Sequence, residues 1–205
     1  MDSRKRILVI SSKRPFPVQD GASIRTSQMI RMLSQIFEVD LVYTCNPYKT
    51  FADLTELRCF CRQISEFLEP KWKCVLRALL GFFKSRPLQC SYFYSPRMMS
   101  YIQEHLSLYD YVFCNNIRTV PYVDGSKCNK IIDYVDAISM NYIGASLKAN
   151  WIWRLVYKFE ANRLISYENK VLKSFDKFII ISDVDRQFIL RHADLEISNK
   201  HIEVI

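Results

Sequence analysis

Residues 7–12, Ile-Leu-Val-Ile-Ser-Ser, form a nearly unbroken apolar run. A strand with one wet face alternates apolar and polar residues. A run that does not alternate belongs to a strand covered on both faces. Six more segments have strand character: EVDLVYT, RQISEFL, YDYVFCN, KIIDYVD, DKFIIIS and HIEVI. Between them the period changes. From Ser23 to Phe37 the apolar positions Ile24, Met29, Ile30, Leu33, Ile36 and Phe37 recur with helical spacing. Further helices are predicted near 70–84, from Pro96 to about Leu106, and from about Asn150 to Lys173. A last one, capped by Ser182 or Asp183, runs to about His192. IRTVPYV reads as a short helix or turn and SYFYS as an extended piece. Strands alternating with helices predict an α/β fold: one domain over 1–205 with a doubly wound, mostly parallel sheet.

The composition fits a packed domain, with 49% apolar and 14% aromatic residues among 205. A net charge of +8 favours anionic partners without choosing among them. Seven cysteines, at 45, 59, 61, 74, 90, 114 and 128, show neither a CxxC pair nor zinc spacing with histidine. They read as reduced, mostly buried thiols of a cytoplasmic protein. Cys59 and Cys61, two apart, suit one face of a strand. No apolar stretch has the length of a membrane span, and the first is too short for a signal peptide. The final HIEVI begins a strand with no turn after it, which suggests either a chain that continues beyond Ile205 or a strand that simply closes the sheet.

In a parallel sheet, ligands bind beyond the carboxyl ends of the strands. Gly21 stands between the first strand and first helix, where a glycine permits close approach to a ligand or simply serves a turn. Lys13, Arg14 and Arg25 flank it, either facing an anion or as solvated charges. Neither GxGxxG nor GxxxxGK[ST] occurs, which argues against dinucleotide-binding and P-loop domains. CNNIRT puts Asn115, Asn116 and Arg118 at a second strand end, with Arg118 suited to a phosphate or carboxylate. Asp133, Asp136, Ser139 and Asn141 lie at a third. Two carboxylates there bind sugar hydroxyls or act as a base, or Asp136 and Ser139 cap a helix or turn. Ser182 and Asp185 lie at a fourth, again as ligand groups or caps. His105, His192 and His201 fall on predicted helices or near their ends, so no catalytic histidine is assigned. Segment 71–86 has five basic residues, no acidic one and a broad Trp/Leu/Phe face. It is either a helix lying on an anionic membrane or a core helix with a basic outer face. Nucleic acid is not among the expected partners, because the basic residues form no recognition module.

The order of segments resembles the group 1, retaining glycosyltransferases of GT-B fold. The likeness runs through ILVISSKRPFPVQDGASIRTSQMIRML, YDYVFCNNIRTVPY, DYVDAISMNY and YKFEANRLISYENKVLKSFDKFIIISDVDRQFI. The last of these is similar to the Glu-Arg-Tyr-Glu helix and following strand of bacterial polysaccharide glycosyltransferases. The resemblance implies a Rossmann-like, acceptor-binding N-terminal half, with the donor-binding domain absent from this chain. It implies transfer of a sugar from a nucleotide-sugar donor to a hydroxyl of a lipid-linked or polysaccharide acceptor, in bacterial surface glycan synthesis. Neither a cofactor nor a metal is expected, and no DxD cluster is evident. By the resemblance Gly21 approaches the donor phosphates or reacting sugar. Arg25, Asn116, Arg118, Asp136, Asn141, Ser182 and Asp185 are the other candidate substrate contacts, and no catalytic residue is assigned. Where many relatives carry two glycines this chain has Asp20-Gly21-Ala22, and Asn115, Asn116 and Arg118 stand where many carry a histidine. The implied location is cytoplasmic, peripheral on the inner face of the membrane. The competing reading is a non-catalytic α/β module that binds sugar or phosphate.

Overall fold

The computed structural model describes residues 4–18, 20–47, 54–82, 86–197 and 199–205. Seven strands form one sheet: β1 (Arg6–Ser11), β2 (Glu38–Cys45), β3 (Gln63–Leu68), β4 (Tyr111–Asn115), β5 (Asn129–Asp133), β6 (Lys177–Ile180) and β7 (Glu203–Val204). Each falls on a segment predicted to be a strand. The order is β3-β2-β1-β4-β5-β6-β7, and every pair is parallel. The chain builds outward from β1 in one direction to β3, then returns to the other side of β1 with β4. The fold is thus doubly wound and Rossmann-like, with its reversal between β1 and β4.

The apolar run in β1 divides between two cores. Leu8 and Ile10 join the larger, with Met98, Ile102, Leu164, Val171 and Ile189. Ile7 and Val9 point to the opposite face, with Met29, Ile30, Leu57 and Phe113. Successive side chains alternate in direction, so both faces must be apolar when helices cover both.

Helix α1 (Gly21–Ile36) starts with a reciprocal cap. The Ser23 amide donates to Asp20 Oδ1 at 2.8 Å, and the Asp20 amide donates to Ser23 Oγ at 3.0 Å. Short α2 (Thr55–Arg58) precedes β3, and α3 (Lys71–Gly81), α4 (Leu88–Tyr92) and α5 (Pro96–His105) make the crossover to β4. The predicted Ser95–Pro96 start of α5 is present, with Ser95 Oγ accepting from the Met98 amide at 3.3 Å. Helices α6 (Ile138–Lys148), α7 (Trp151–Ser174) and α8 (Asp183–Arg191) complete the chain. Among the described residues no helix is long and apolar enough to cross a membrane.

Three expectations need correction. SYFYS is not extended throughout: Ser91 and Tyr92 close α4, where Cys90 enters the core and Ser91 packs against α3. Cys59 and Cys61 do not share a strand face, because they follow the end of α2, Cys59 exposed and Cys61 buried. Asp136 and Ser139 do not cap α6 through their side chains. Its N-cap position is Ala137, with no side-chain cap of its own. The helix predicted near 70–84 is α3, and residues 83–85 of the 71–86 segment lie outside the described residues. All seven cysteines are free thiols.

Candidate functional site

The carboxyl edge of the sheet carries an in-register polar row: Tyr43, Ser11, Asn115 and Asp133 stand side by side on β2, β1, β4 and β5. At the reversal point this row is engaged internally. Asn115 Nδ2 donates to Thr26 Oγ1 at 2.5 Å and to Ser11 Oγ at 3.4 Å. Arg25 reaches across from α1 and grips fully buried Asp133 with two bonds, Nε to Oδ2 at 2.6 Å and Nη2 to Oδ1 at 3.0 Å. Its Nη1 donates to the Ile205 carbonyl at 2.9 Å. The crevice is therefore bridged by the chain's own side chains.

The next two strand ends are built differently. Asn116, just past β4, has φ 64°. Asparagine tolerates this left-handed region better than most residues. Its amide donates to the Asp133 carbonyl at 2.7 Å, and its Oδ1 accepts from the Arg118 amide at 2.9 Å. That turn sets Arg118. The Arg118 guanidinium lies 4.7 Å over the Phe93 ring, and Nε donates to Gln89 Oε1 at 2.7 Å. Gln89 Nε2 in turn donates to the Tyr142 hydroxyl at 3.0 Å. Arg118 has no ion-pair partner among the described residues, and burial pulls its pKa down despite Asp136 nearby. A partly desolvated guanidinium held by a neutral amide and an aromatic face keeps donors for an anion.

Past β5, Val135 has φ 67°. For a β-branched residue this conformation is strained. It is held by its amide to Asp133 Oδ1 at 3.1 Å, and by the Asp136 amide to the Tyr134 carbonyl at 2.8 Å. The kink delivers Asp136, whose Oδ2 accepts from Asn141 Nδ2 at 2.6 Å. Burial raises the Asp136 pKa, Arg118 and Asn141 oppose this, and Asp185 adds to it.

Helix α6 begins here and is capped by distant carboxylates. The Ala137 amide donates to Asp185 Oδ1 at 3.0 Å. The Ser139 amide and hydroxyl donate to the two oxygens of Glu168 at 3.3 and 2.6 Å. Carboxyl oxygens at a helix start satisfy its free amides. Burial pushes Glu168 up to about 7, against the Ser139 bonds, and Asp136 and Asp185 add to the rise.

Arg118, Asp136, Asn141 and Asp185 thus share one neighbourhood. Asn116 positions it through backbone contacts. Ser182 caps α8 by accepting from the Val184 amide at 3.1 Å. Gly21 is the first residue of α1, with no atom within 4 Å of where a Cβ would stand. Arg25 is engaged with Asp133. Sequence reading missed Glu168, Gln89 and Tyr142 as members. Glu168 lies in the helix compared with the Glu-Arg-Tyr-Glu pattern, and Glu160, Tyr167 and Glu168 are all buried there. Glu160 accepts from the Leu88 amide and pairs with Arg163, which donates to the Gly81 carbonyl at 3.0 Å. These α7 residues hold α3, α4 and α6 in place. Among the described residues no cluster of His, Cys, Asp and Glu is arranged to hold a metal ion. No protein-family model matches the chain, and no curated protein matches it.

Proposed function

We propose that this chain is the N-terminal, acceptor-binding half of a retaining GT-B glycosyltransferase. It serves transfer of a sugar from a nucleotide-sugar donor to a hydroxyl of a lipid-linked or polysaccharide acceptor in bacterial surface glycan synthesis. The observation that carries the reading is an Arg118 guanidinium held by Gln89 and the Phe93 ring past the end of β4, with Asp136 held by Asn141 past the end of β5. The unspent guanidinium donors suit a phosphate or carboxylate of the acceptor, and the Asp136 oxygen not bonded to Asn141 suits a sugar hydroxyl. The co-linear motifs of the resemblance support the same assignment. The donor diphosphate belongs to a second domain in such enzymes, in keeping with a reversal-point crevice bridged by Arg25–Asp133 and Asn115–Thr26.

The test is calorimetric titration of the chain with a short-chain prenyl-diphosphate sugar and, separately, with a nucleotide sugar. The acceptor analogue should bind, Arg118→Met should weaken it at least about tenfold at unchanged melting temperature, and the nucleotide sugar should bind weakly. Equal acceptor binding by wild type and Arg118→Met defeats the assignment of the site. The bridged crevice equally suits the second reading, a non-catalytic sugar- or phosphate-binding module. Transfer of labelled sugar by this chain joined to a donor-binding domain excludes that reading.

A further inference from the structure

Helix α3 has eleven residues and buries only two of them, Cys74 and Gly81. A short helix in a globular protein is normally stabilised by burying its apolar stripe. Here Trp72, Val75, Leu76, Leu79 and Leu80 are 49–64% exposed. The first turns of α7 repeat the anomaly, with Trp151, Ile152, Trp153, Leu155 and Phe159 47–72% exposed. The two helices meet where the ring of Phe82, at the end of α3, lies tilted against that of Phe159 with centroids 5.3 Å apart, so the exposed side chains form one face. Into that face opens a cavity of about 200 Å³ between α3 and α4, lined by Val75, Ala78, Leu79, Phe82, Leu88 and Tyr92. Its apolar walls offer water no partners.

The charge around this face is one-sided. The described segments that build it, 70–82, 86–92 and 137–159, hold seven basic residues and no acidic one, and of the seven Arg77 is paired with Glu69. Lys71, Lys73, Lys148, Arg154 and Lys158 are exposed and have no ion-pair partner among the described residues. All three tryptophans of the chain lie on this face. Indole rings favour the boundary between headgroups and acyl chains.

We propose that α3, α4 and the first half of α7 dock on a lipid bilayer bearing anionic headgroups, with the α3–α4 cavity receiving an acyl chain. The proposal stands without the glycosyltransferase reading. Apolar side chains enter the boundary region while the surrounding lysines and arginines meet lipid phosphates. A second copy of the chain is the poorer occupant, because it would bring two strongly cationic surfaces together.

The chain itself carries the reporter. Vesicles of phosphatidylglycerol with phosphatidylcholine should float the protein at least about tenfold better than phosphatidylcholine alone, and added salt should weaken the difference. Tryptophan emission should shift to the blue on binding, and brominated acyl chains should quench it. Trp72→Glu with Trp153→Glu, both more than half exposed, should abolish flotation at an unchanged melting temperature. Unshifted emission with anionic vesicles overturns the proposal, as does equal flotation with both compositions. A wild-type dimer that the double variant dissociates, with no vesicle binding, assigns the face to self-association and overturns it equally.

Discussion

Ser139 gives both its backbone amide and its hydroxyl to the carboxylate of Glu168, a buried residue of another helix. Two donors do not offset the cost of removing that charge from water, and Glu168 is pushed up to about 7. The folded protein therefore keeps a proton that the unfolded chain releases near 4.5. Stability from this group is full below pH 4.5 and is lost as pH rises to about 7, by about 3 kcal/mol. Asp136 and Glu160, also raised by burial, act in the same sense. Urea denaturation between pH 4.5 and 7.5 should show this decline, and Glu168→Gln should flatten much of it. A decline unchanged in Glu168→Gln refutes the assignment. Asp20, held near 2 first by the Lys13 bond and then by the Ser23 amide, acts oppositely: its contribution is lost as pH falls from 3.8 through 2.

Arg25→Ala should cost about 3–5 kcal/mol, because it strands the carboxylate of fully buried Asp133. Arg25→Met combined with Asp133→Asn should recover most of that loss, since the asparagine oxygen still accepts from the Val135 amide. Chemical denaturation of the three variants measures it. A loss below 1 kcal/mol for Arg25→Ala would show that the pair does not hold α1 to β5.

Gly81 is required by packing. A Cβ there would stand 2.4 Å from Ser91 Oγ and 2.6 Å from Ser91 Cβ. Gly81→Ala should destabilise by about 1–3 kcal/mol as α3 and α4 are forced apart. In the double variant with Ser91→Gly the loss should be smaller than the sum of the two singles. Strict additivity would mean that the two helices do not touch at this point.

Gly21 is the reverse case. A Cβ meets nothing, and the residue is the first of α1. Gly21→Ala should raise stability by about 0.4–1 kcal/mol through the unfolded chain. On the proposed function, Gly21→Val should keep the melting temperature yet remove most transfer activity in the two-domain enzyme. Full activity with both substrates removes Gly21 from the site.

The strands were legible because burial on both faces leaves a local mark, as in Ile7–Ile10. Helix α6 was not, for a physical reason. Helix starts are read from a polar N-cap, but Ala137 stands there and the capping carboxylates come from Asp185 and Glu168. Likewise, polar residues at strand ends were visible as a set, but not their pairings. Nothing near Arg25 in the sequence announces Asp133, 108 residues away. SYFYS reads as an extended piece in the sequence, while Cys90 burial and the packing of Ser91 against Gly81 accompany a helical first part.

The neighbours of β1 arrive at very different times. On one side it pairs with β2, Ile7 opposite Val39. On the other it pairs with β4, Ile7 opposite Tyr111. During synthesis β1, β2 and β3 emerge with α1 to cover one face, while most partners of Leu8 and Ile10 lie beyond residue 89. At about 5–20 residues per second, the stretch from the end of β3 at Leu68 to the end of β4 at Asn115 takes roughly 2–9 s, and during it the central strand offers an open edge and a bare apolar face. Misassembly on the ribosome, and the work of any chaperone that prevents it, is concentrated in that interval.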